Sequence, residues 1–153
     1  MSTIPEAFAD TEERYRSVIA AMSEGVVLQG ADGAILACNA SAERLLGLSA
    51  DQLAGRSSLD PRWRSIHPDG SPFPGETHPA MLTLRSGIPE RDVEMGVRKP
   101  DDTLTWISIN TQPLFRPGET EPYAVVSTFS DITERQRAEL ARRHSAERYR
   151  RLV

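Results

Sequence analysis

Three successive β-type segments in the second half of the chain constrain its fold more than any other feature. In the first, Val93, Met95 and Val97 alternate with charged or small residues, the period-2 pattern of a strand with one buried face. Residues 103–111 are rich in Thr, Ile and Trp, and residues 123–130 in Val, Thr and aromatic residues. Their connections contain Asp, Pro and Gly and are compatible with antiparallel pairing.

A β-hairpin is predicted near the start of the chain. Residues 26–29 and 34–38 are short apolar runs, and the four residues between them include Asp32-Gly33. Asp-Gly readily adopts the positive φ angles that tight hairpin turns require. We therefore expect two further strands to pair here.

Helices and a long loop are predicted between the hairpin and the three later strands. Asn39 can cap a helix that ends at Gly47. Residues 60–75 contain four prolines, which forbid long regular structure, so this segment is predicted to be a loop. A helix should resume at Pro79 and end at Gly87.

An amphipathic helix is predicted at the N-terminus, over residues 8–22. Its apolar stripe consists of Phe8, Tyr15, Val18, Ile19 and Met22. This is more apolar surface than a single sheet needs from one helix, and an exposed stripe of this kind usually marks an interface. We predict a parallel homodimer held chiefly by these five residues.

A second long helix is predicted over residues 133–153, which lack proline and glycine. Its small or apolar residues recur at coiled-coil-like spacing, but they form a thin seam: Ala138, Ala141, Ser145, Tyr149 and Leu152. Residues 134–151 contain seven arginines and three glutamates, so the helix is basic on an otherwise acidic chain. The sequence Glu-Arg-Tyr-Arg at 13–16 recurs at 147–150.

Composition narrows the class of protein. The chain has 153 residues, a net charge of -4 and a pI near 5.4, which argues against nucleic acid as a general partner. Its apolar runs are only a few residues long, so no membrane span is expected, and residues 1–5 have no secretory-signal pattern. The single cysteine, Cys38, fits a reducing compartment. A cytoplasmic location is therefore expected.

The residue pattern resembles the PAS (Per-Arnt-Sim) sensory domain over about residues 13–140. The matching positions are Asp32, Gly33, Ile35, Asn39, Ala42, Leu46, Gly47, Leu53 and Gly55, and the sequence Asp131-Ile132-Thr133 where the last strand meets the outgoing helix. The resemblance implies an α+β fold, a five-stranded antiparallel sheet with helices and the proline-rich loop on one face. One departure is Asp102, where the family usually has Gly; if Asp102 has a positive φ, it bears a steric cost that Gly would not, and Asp102→Gly is expected to stabilise the fold.

The resemblance also implies a domain organisation. Residues 1–23 form the N-terminal amphipathic helix, residues 24–131 the PAS core, and residues 132–153 a coiled-coil linker. The repeated Glu-Arg-Tyr-Arg commonly opens a PAS module, so the linker is expected to run into a second one. A histidine kinase, diguanylate cyclase or phosphodiesterase output domain would lie outside this chain.

The implied function is that of a non-catalytic sensory and dimerisation module. Asp131, Ile132 and Thr133 would act as the hinge that passes a conformational change into the C-terminal helix. An enzyme is not expected, because the chain has no phosphate-binding glycine loop, nucleophile elbow or His-Glu-x-x-His motif. The predicted partners are a second copy of the chain, an output domain and a small apolar ligand.

A ligand pocket, or simply an apolar core, is predicted between sheet and helices. Its predicted lining is Trp63, Phe73, Met81, Leu84, Met95 and Ile107. Trp106 lies on the opposite face from Ile107, so it either packs under the N-terminal helix or is exposed.

The alternative function is a haem- or flavin-binding redox or gas sensor. His78 is the only histidine in the region where haem-binding relatives carry their axial ligand, but it precedes Pro79 and is expected to cap the helix instead. Flavin-binding relatives carry Asn-Cys-Arg-Phe-Leu-Gln, which is absent here. Cys38, His67 and His78 lack the close spacing of a metal site, so neither metal, haem nor flavin is predicted.

Overall fold

The computed structural model describes residues 4–152, with side chains for residues 11–150. The strands are β1 (Gly25–Gly30), β2 (Ile35–Cys38), β3 (Val93–Arg98), β4 (Leu104–Leu114) and β5 (Ala124–Asp131). The helices are α1 (Ile4–Ala21), α2 (Ala40–Leu46), α3 (Ala50–Leu53), α4 (Pro79–Ser86) and α5 (Thr133–Leu152). The strands form one antiparallel sheet in the order β2-β1-β5-β4-β3, which confirms the predicted α+β architecture.

The first hairpin forms at the predicted Asp-Gly. Gly33 has a φ of 84°, and Asp32 Oδ1 accepts the backbone N–H of Ala34 at 3.0 Å. These local interactions reverse the chain, so that β2 returns along β1. The predicted hairpin is confirmed.

Asn39 joins the hairpin to two helices. Its Oδ1 accepts the backbone N–H groups of Ala42 and Val26, both at 2.9 Å, so it caps α2 and holds the start of β1. Its Nδ2 donates to the carbonyl groups of Ile19 and Glu24, both at 3.0 Å. One buried amide therefore fixes the C-terminal end of α1 against the sheet.

The core lies between the inner face of the sheet and the helices α2–α4. Inward-facing side chains of alternate strand positions meet the apolar faces of these helices: Val27, Ile35, Leu45, Leu46, Leu53, Val97, Ile107, Ile109 and Phe129. Thr83 of α4 is fully buried, and its hydroxyl lies 2.5 Å from that of Thr111 on β4. This contact fixes α4 across the sheet.

The proline-rich segment 60–75 is a loop, as predicted, but it is fixed to the sheet. Ile66 exchanges two backbone hydrogen bonds with Gly96, each of 2.9 Å, and so forms a bridge to the free edge of β3. A Cβ on Gly96 would lie 2.9 Å from Ile66 and 3.0 Å from the Trp106 ring. Glycine at this position therefore allows the loop at Ile66 to lie this close to β3.

The two long helices project from the core. Residues 11–20 of α1 are all exposed, and residues 141–150 of α5 are exposed as well. The first turns of α5 contact the outer face of the sheet, where Gln136 Nε2 donates to Glu94 Oε2 at 2.8 Å. No helix within residues 4–152 has the length and apolar character needed to cross a membrane.

Trp106 takes neither of the two positions expected from the sequence. It is half-buried on the outer face of the sheet, where it lines a groove together with Arg135, Gln136 and Leu140 of α5. It therefore lies beside the C-terminal helix rather than under the N-terminal one. Trp106 lies there because β5 pairs with β4 and leads directly into α5, which places α5 beside Trp106. Local sequence patterns do not show that β4 and β5 pair.

Candidate functional site

A small internal cavity lies between the inner face of the sheet, the segment from Ser58 to Ser65 and the start of α4. Its volume is about 80 Å³. Its apolar lining consists of Val27, Ile35, Leu46, Trp63, Pro79, Ala80, Met95, Val97, Ile107, Ile109 and Phe129. The volume exceeds the ~10–15 Å³ needed for one water, and lies far below the ~300 Å³ at which pockets for drug-sized ligands begin.

Five polar residues also line this cavity: Gln29, Ser58, Ser65, His78 and Ser127. Gln29 Nε2 donates to the carbonyl of Gly33 at 2.6 Å and to Ser58 Oγ at 3.3 Å. Ser65 Oγ is buried and has no hydrogen-bond partner within the described part of the chain. Because a buried hydroxyl without a partner costs free energy, this oxygen is a candidate contact for a bound molecule.

His78 is buried, with 6% of its surface exposed, and its ring makes no capping hydrogen bond to α4. The predicted capping role is therefore wrong. The ring instead turns inward, with Nε2 3.2 Å from the carbonyl oxygen of Phe73. A carbonyl only accepts, so Nε2 carries the proton and Nδ1 is left as an acceptor. Burial lowers the pKa of His78, which favours the neutral ring, although the Phe73 carbonyl opposes this shift.

The structure places three of the six predicted lining residues at the cavity. Trp63, Met95 and Ile107 line it, and the indole N–H of Trp63 donates to the carbonyl of Ser57 at 2.8 Å. This hydrogen bond fixes the orientation of the indole ring. Met95 and Ile107 are paired on neighbouring strands and face the interior together.

Phe73, Met81 and Leu84 lie outside the cavity, which corrects the predicted lining. Phe73 is buried behind it, stacked on the His67 ring at 4.0 Å and edge-on to the His78 ring at 5.3 Å. Helix α4 turns its buried face, which includes Pro79 and Ala80, toward the interior, so Met81 and Leu84 are only half-buried. The helical pattern alone could not show which of its apolar positions face the cavity.

The polar lining of the cavity was not predicted from the sequence. A usable signal exists for two of its members, because Gln29 and Ser127 occupy inward positions by strand alternation, next to Val27 and Phe129. No local signal marks Ser58, Ser65 or His78, because long-range contacts of the loop bring them to the cavity.

The three residues of the predicted hinge lie where β5 leads into α5. Thr133 Oγ1 accepts the backbone N–H of Trp106 at 3.0 Å, and the Ile132 N–H donates to the Trp106 carbonyl at 2.8 Å. Ile132 is buried, and its carbonyl accepts the N–H of Gln136 at 2.9 Å. The beginning of α5 is therefore fastened to the middle of β4.

The four predicted interface residues whose side chains are described lie on α1 or directly after it, and they are exposed or half-buried. Tyr15 is 67% exposed and Val18 is 61% exposed, while Ile19 is also exposed and Met22 is half-buried. The side chain of Phe8 lies outside the described residues. Within the described part of the chain, α1 therefore presents apolar side chains that its own sheet does not cover.

The cavity is small for the larger cofactors, and the described side chains that could bind a metal do not form a cluster. A cavity of about 80 Å³ is too small for haem or a flavin, both of which are drug-sized or larger. Among the side chains of residues 11–150, no three His, Cys, Asp or Glu residues come close enough to hold a metal ion. Cys38 is half-buried, and burial raises the pKa of its thiol, which disfavours a reactive thiolate.

Comparisons with known proteins agree with this architecture. The family model of the PAS fold matches residues 13–132. The PAS domain of a Colwellia psychrerythraea protein is 17% identical, with a TM-score of 0.62 over 81% of this chain and 98% of that chain. A sensory box histidine kinase/response regulator from Burkholderia thailandensis is 24% identical, with a TM-score of 0.61 over 90% of this chain and 98% of that chain.

A third similar structure is the PAS domain of a LuxR-family transcriptional regulator from Burkholderia thailandensis, in complex with ethanol. It is 19% identical, with a TM-score of 0.53 over 78% of this chain and 97% of that chain. A comparison with curated proteins finds no match. Since the family model matches most of the chain and the five-stranded sheet agrees with it, the chain belongs to the PAS family.

Proposed function

We propose that this chain is a non-catalytic sensory module that binds a small neutral molecule in its internal cavity. The observation that carries the proposal is Ser65 Oγ, a buried hydroxyl that lines the cavity and lacks a partner within the described residues. A ligand with one polar group would satisfy this hydroxyl and fill the apolar space beside it.

The chemistry of the lining favours one class of ligand. Ser65 Oγ can donate or accept, and the neutral His78 ring offers Nδ1 as an acceptor, whereas the remaining walls are mostly apolar. The cavity is smaller than the engineered cavity of about 150 Å³ that holds benzene. Short-chain alcohols and ketones are small enough for this volume, and each has one polar group for Ser65 or His78. The ethanol complex of the similar LuxR-family domain is a precedent for a ligand of this size.

The alternative, a haem or flavin sensor, is less favoured by the geometry. The cavity is too small for either group, and His78 Nε2 already faces the carbonyl of Phe73. We therefore propose a module without a resident cofactor. A Soret or flavin absorbance band in the purified protein would support the alternative instead.

The proposed output passes through Asp131, Ile132 and Thr133 into α5. A shift of β4 on ligand binding would act on α5 directly, because Thr133 and Ile132 are hydrogen-bonded to Trp106. We propose that α5 continues to a histidine kinase, diguanylate cyclase or phosphodiesterase, and that two copies dimerise through α1. The proposal places the module in the cytoplasm and includes neither nucleic acid nor membrane as a partner.

The test is a thermal-melting titration with ethanol, 1-propanol and acetone. A binding probe should raise the melting temperature in proportion to the logarithm of its concentration above Kd, by an amount equivalent to about 1.4 kcal/mol at ten times its Kd. Ala80→Leu should abolish the rise, because Ala80 is buried at the cavity wall. Ala40→Leu, on the exposed start of α2, is the matched control and should retain it.

The proposed transmission of ligand binding from the cavity to α5 is tested in the same samples by hydrogen exchange of residues 134–150. Exchange there should change when a probe binds to the wild type and stay constant in Ala80→Leu. If no probe raises the melting temperature, or if Ala80→Leu and Ala40→Leu respond alike, the cavity is not a ligand site.

A further inference from the structure

Four arginines line a second cavity, which shares Leu46 and Trp63 with the first. This cavity has a volume of about 210 Å³, and its lining consists of Leu46, Leu48, Arg56, Arg62, Trp63, Arg64, Arg98 and Pro100. We call the four arginines the arginine cluster. No carboxylate is among the described residues that line the cavity, so its polar surface carries one sign of charge.

Among the described side chains, only two members of the cluster have a carboxylate partner. Arg62 binds Asp60 through two hydrogen bonds of 3.0 and 2.7 Å, and Arg64 lies 2.9 Å from a carboxylate oxygen of Asp102. Arg98 instead donates to the backbone carbonyl of Asp102 at 3.1 Å. Its guanidinium charge is therefore not matched by a carboxylate within the described residues.

Arg56 is the second member without a carboxylate of its own. Its guanidinium carbon lies 4.9 Å from the centre of the Trp63 ring, and its Nε is buried without an acceptor among the described residues. Burial lowers the pKa of Arg56, and the positive charge of Arg62 lowers it further. Asp60 opposes this shift, but that carboxylate is already bound by Arg62. A partly buried guanidinium in this setting is stabilised by an anion.

We propose that the arginine cluster is a binding site for a phosphate group, carried as inorganic phosphate or as a small phosphomonoester. The positive charges of Arg56 and Arg98, which have no carboxylate partner among the described residues, would together balance the charge of about -1.5 to -2 that a phosphate carries near neutral pH. A single guanidinium can donate two parallel N–H···O hydrogen bonds to the oxygens of one phosphate. A cavity lined by four arginines therefore suits a phosphate group. The apolar surface of Trp63, Leu46 and Leu48 would contact the organic part of a phosphomonoester.

The site has a lining different from that of the first cavity, apart from Leu46 and Trp63, which line both. The chain has two tryptophans, so a Trp106→Phe background leaves Trp63 as the only indole reporter. Inorganic phosphate and phenyl phosphate are titrated into this protein at about pH 7.5, with the ionic strength held constant by sodium chloride. We expect a saturable change in Trp63 fluorescence with a Kd of about 1 mM or tighter. Tighter binding of phenyl phosphate would indicate a phosphomonoester, and equal binding would indicate free phosphate.

Two substitutions test the assignment. Arg56→Lys retains the charge but removes the planar guanidinium, and Arg98→Ala removes an unmatched charge; each should weaken binding at least about tenfold. Arg91→Ala removes an exposed arginine outside the cluster and should bind phosphate like its parent. If the response rises linearly without saturation, or if Arg56→Lys and Arg98→Ala bind like Arg91→Ala, the proposal is wrong.

A measurement on the unmodified chain covers the case in which a variant does not fold. In ¹⁵N-labelled wild-type protein, phosphate should shift the amide resonances of residues 56–64 and 98–102 and leave those of β1 in place. Shifts spread evenly over the surface, or none in these two segments, would overturn the assignment.

Discussion

Asp131 Oδ1 accepts the backbone N–H of Thr133 at 2.9 Å, at the point where the last strand becomes the C-terminal helix. This N–H is one of the first four of α5, which have no partner within the helix. An exposed carboxylate thus supplies the acceptor that the first turn lacks. The bond links the end of the sheet to the start of the helix through a side chain three atoms long.

We therefore expect Asp131→Ala to loosen the first turns of α5 while the sheet stays folded. Loss of an acceptor at a helix N-terminus costs about 0.5–2 kcal/mol. Hydrogen exchange of residues 134–150 should accelerate. Asp131→Asn keeps the Oδ1 acceptor and is the matched control. Identical exchange in wild type, Asp131→Ala and Asp131→Asn would show that this side chain does not hold the helix.

Asp102 adopts a φ of 71° in the turn between β3 and β4, which is the condition under which glycine is expected to be favoured there. Glycine has no Cβ to strain this conformation, so Asp102→Gly should stabilise the fold by up to ~1 kcal/mol. The ion pair with Arg64 is exposed, and its loss offsets only part of this gain. Asp101 is not in the positive-φ region, and its Oδ1 accepts from the Thr103 N–H, so Asp101→Gly should lower the melting temperature. A decrease for both variants would contradict the strain argument.

His78 should make stability depend on pH. Its pKa is lowered in the folded state by burial, so below the unfolded value of about 6.5 the unfolded chain binds more protons. Stability contributed by the neutral ring is therefore present above pH 6.5 and lost as the pH falls below it. The free energy of unfolding should decrease from about pH 7 to pH 5.5, and less steeply in His78→Gln. His144→Gln, on the exposed part of α5, is the comparison; equal slopes in both variants would contradict the assignment.

Ser65 and Ser58 should respond to alanine with opposite signs. Ser65→Ala removes a buried hydroxyl without a partner in the described structure and should stabilise the ligand-free protein by about 1 kcal/mol. Ser58→Ala removes the acceptor of a 3.3 Å hydrogen bond from Gln29 and should destabilise it. Urea unfolding of the two variants measures both changes. A loss of stability in Ser65→Ala would show that its hydroxyl is already satisfied.

The exposed stripe on α1 should hold a dimer. Replacing Tyr15 and Val18 together by Asp places two charges in the proposed interface and should give a folded monomer. Sedimentation at tens of micromolar would populate even a ~10 μM interface. The matched control is Leu36→Asp, a single exposed apolar residue on β2. A wild-type monomer, or an unchanged dimer in the double variant, would show that α1 is not the interface.

Local patterns predicted the elements of the fold but only three of the sixteen residues that line the cavity. The hairpin at Asp32-Gly33 and the helix from Pro79 to Gly87 depend on nearest neighbours in the chain, so sequence reasoning found them. The capping role predicted for His78 is wrong because its ring contacts the Phe73 carbonyl instead, and this contact depends on the path of the loop. That path is set by contacts between residues distant in sequence.

The bridge between Ile66 and Gly96 also bears on self-association. A sheet edge exposes unpaired backbone groups that can recruit a strand from another molecule. At β3 the loop occupies those groups on Gly96, so a foreign strand would have to displace it first. The opposite edge, β2, is only four residues long. The same contact that positions the cavity loop therefore protects the chain against aggregation through its longer edge strand.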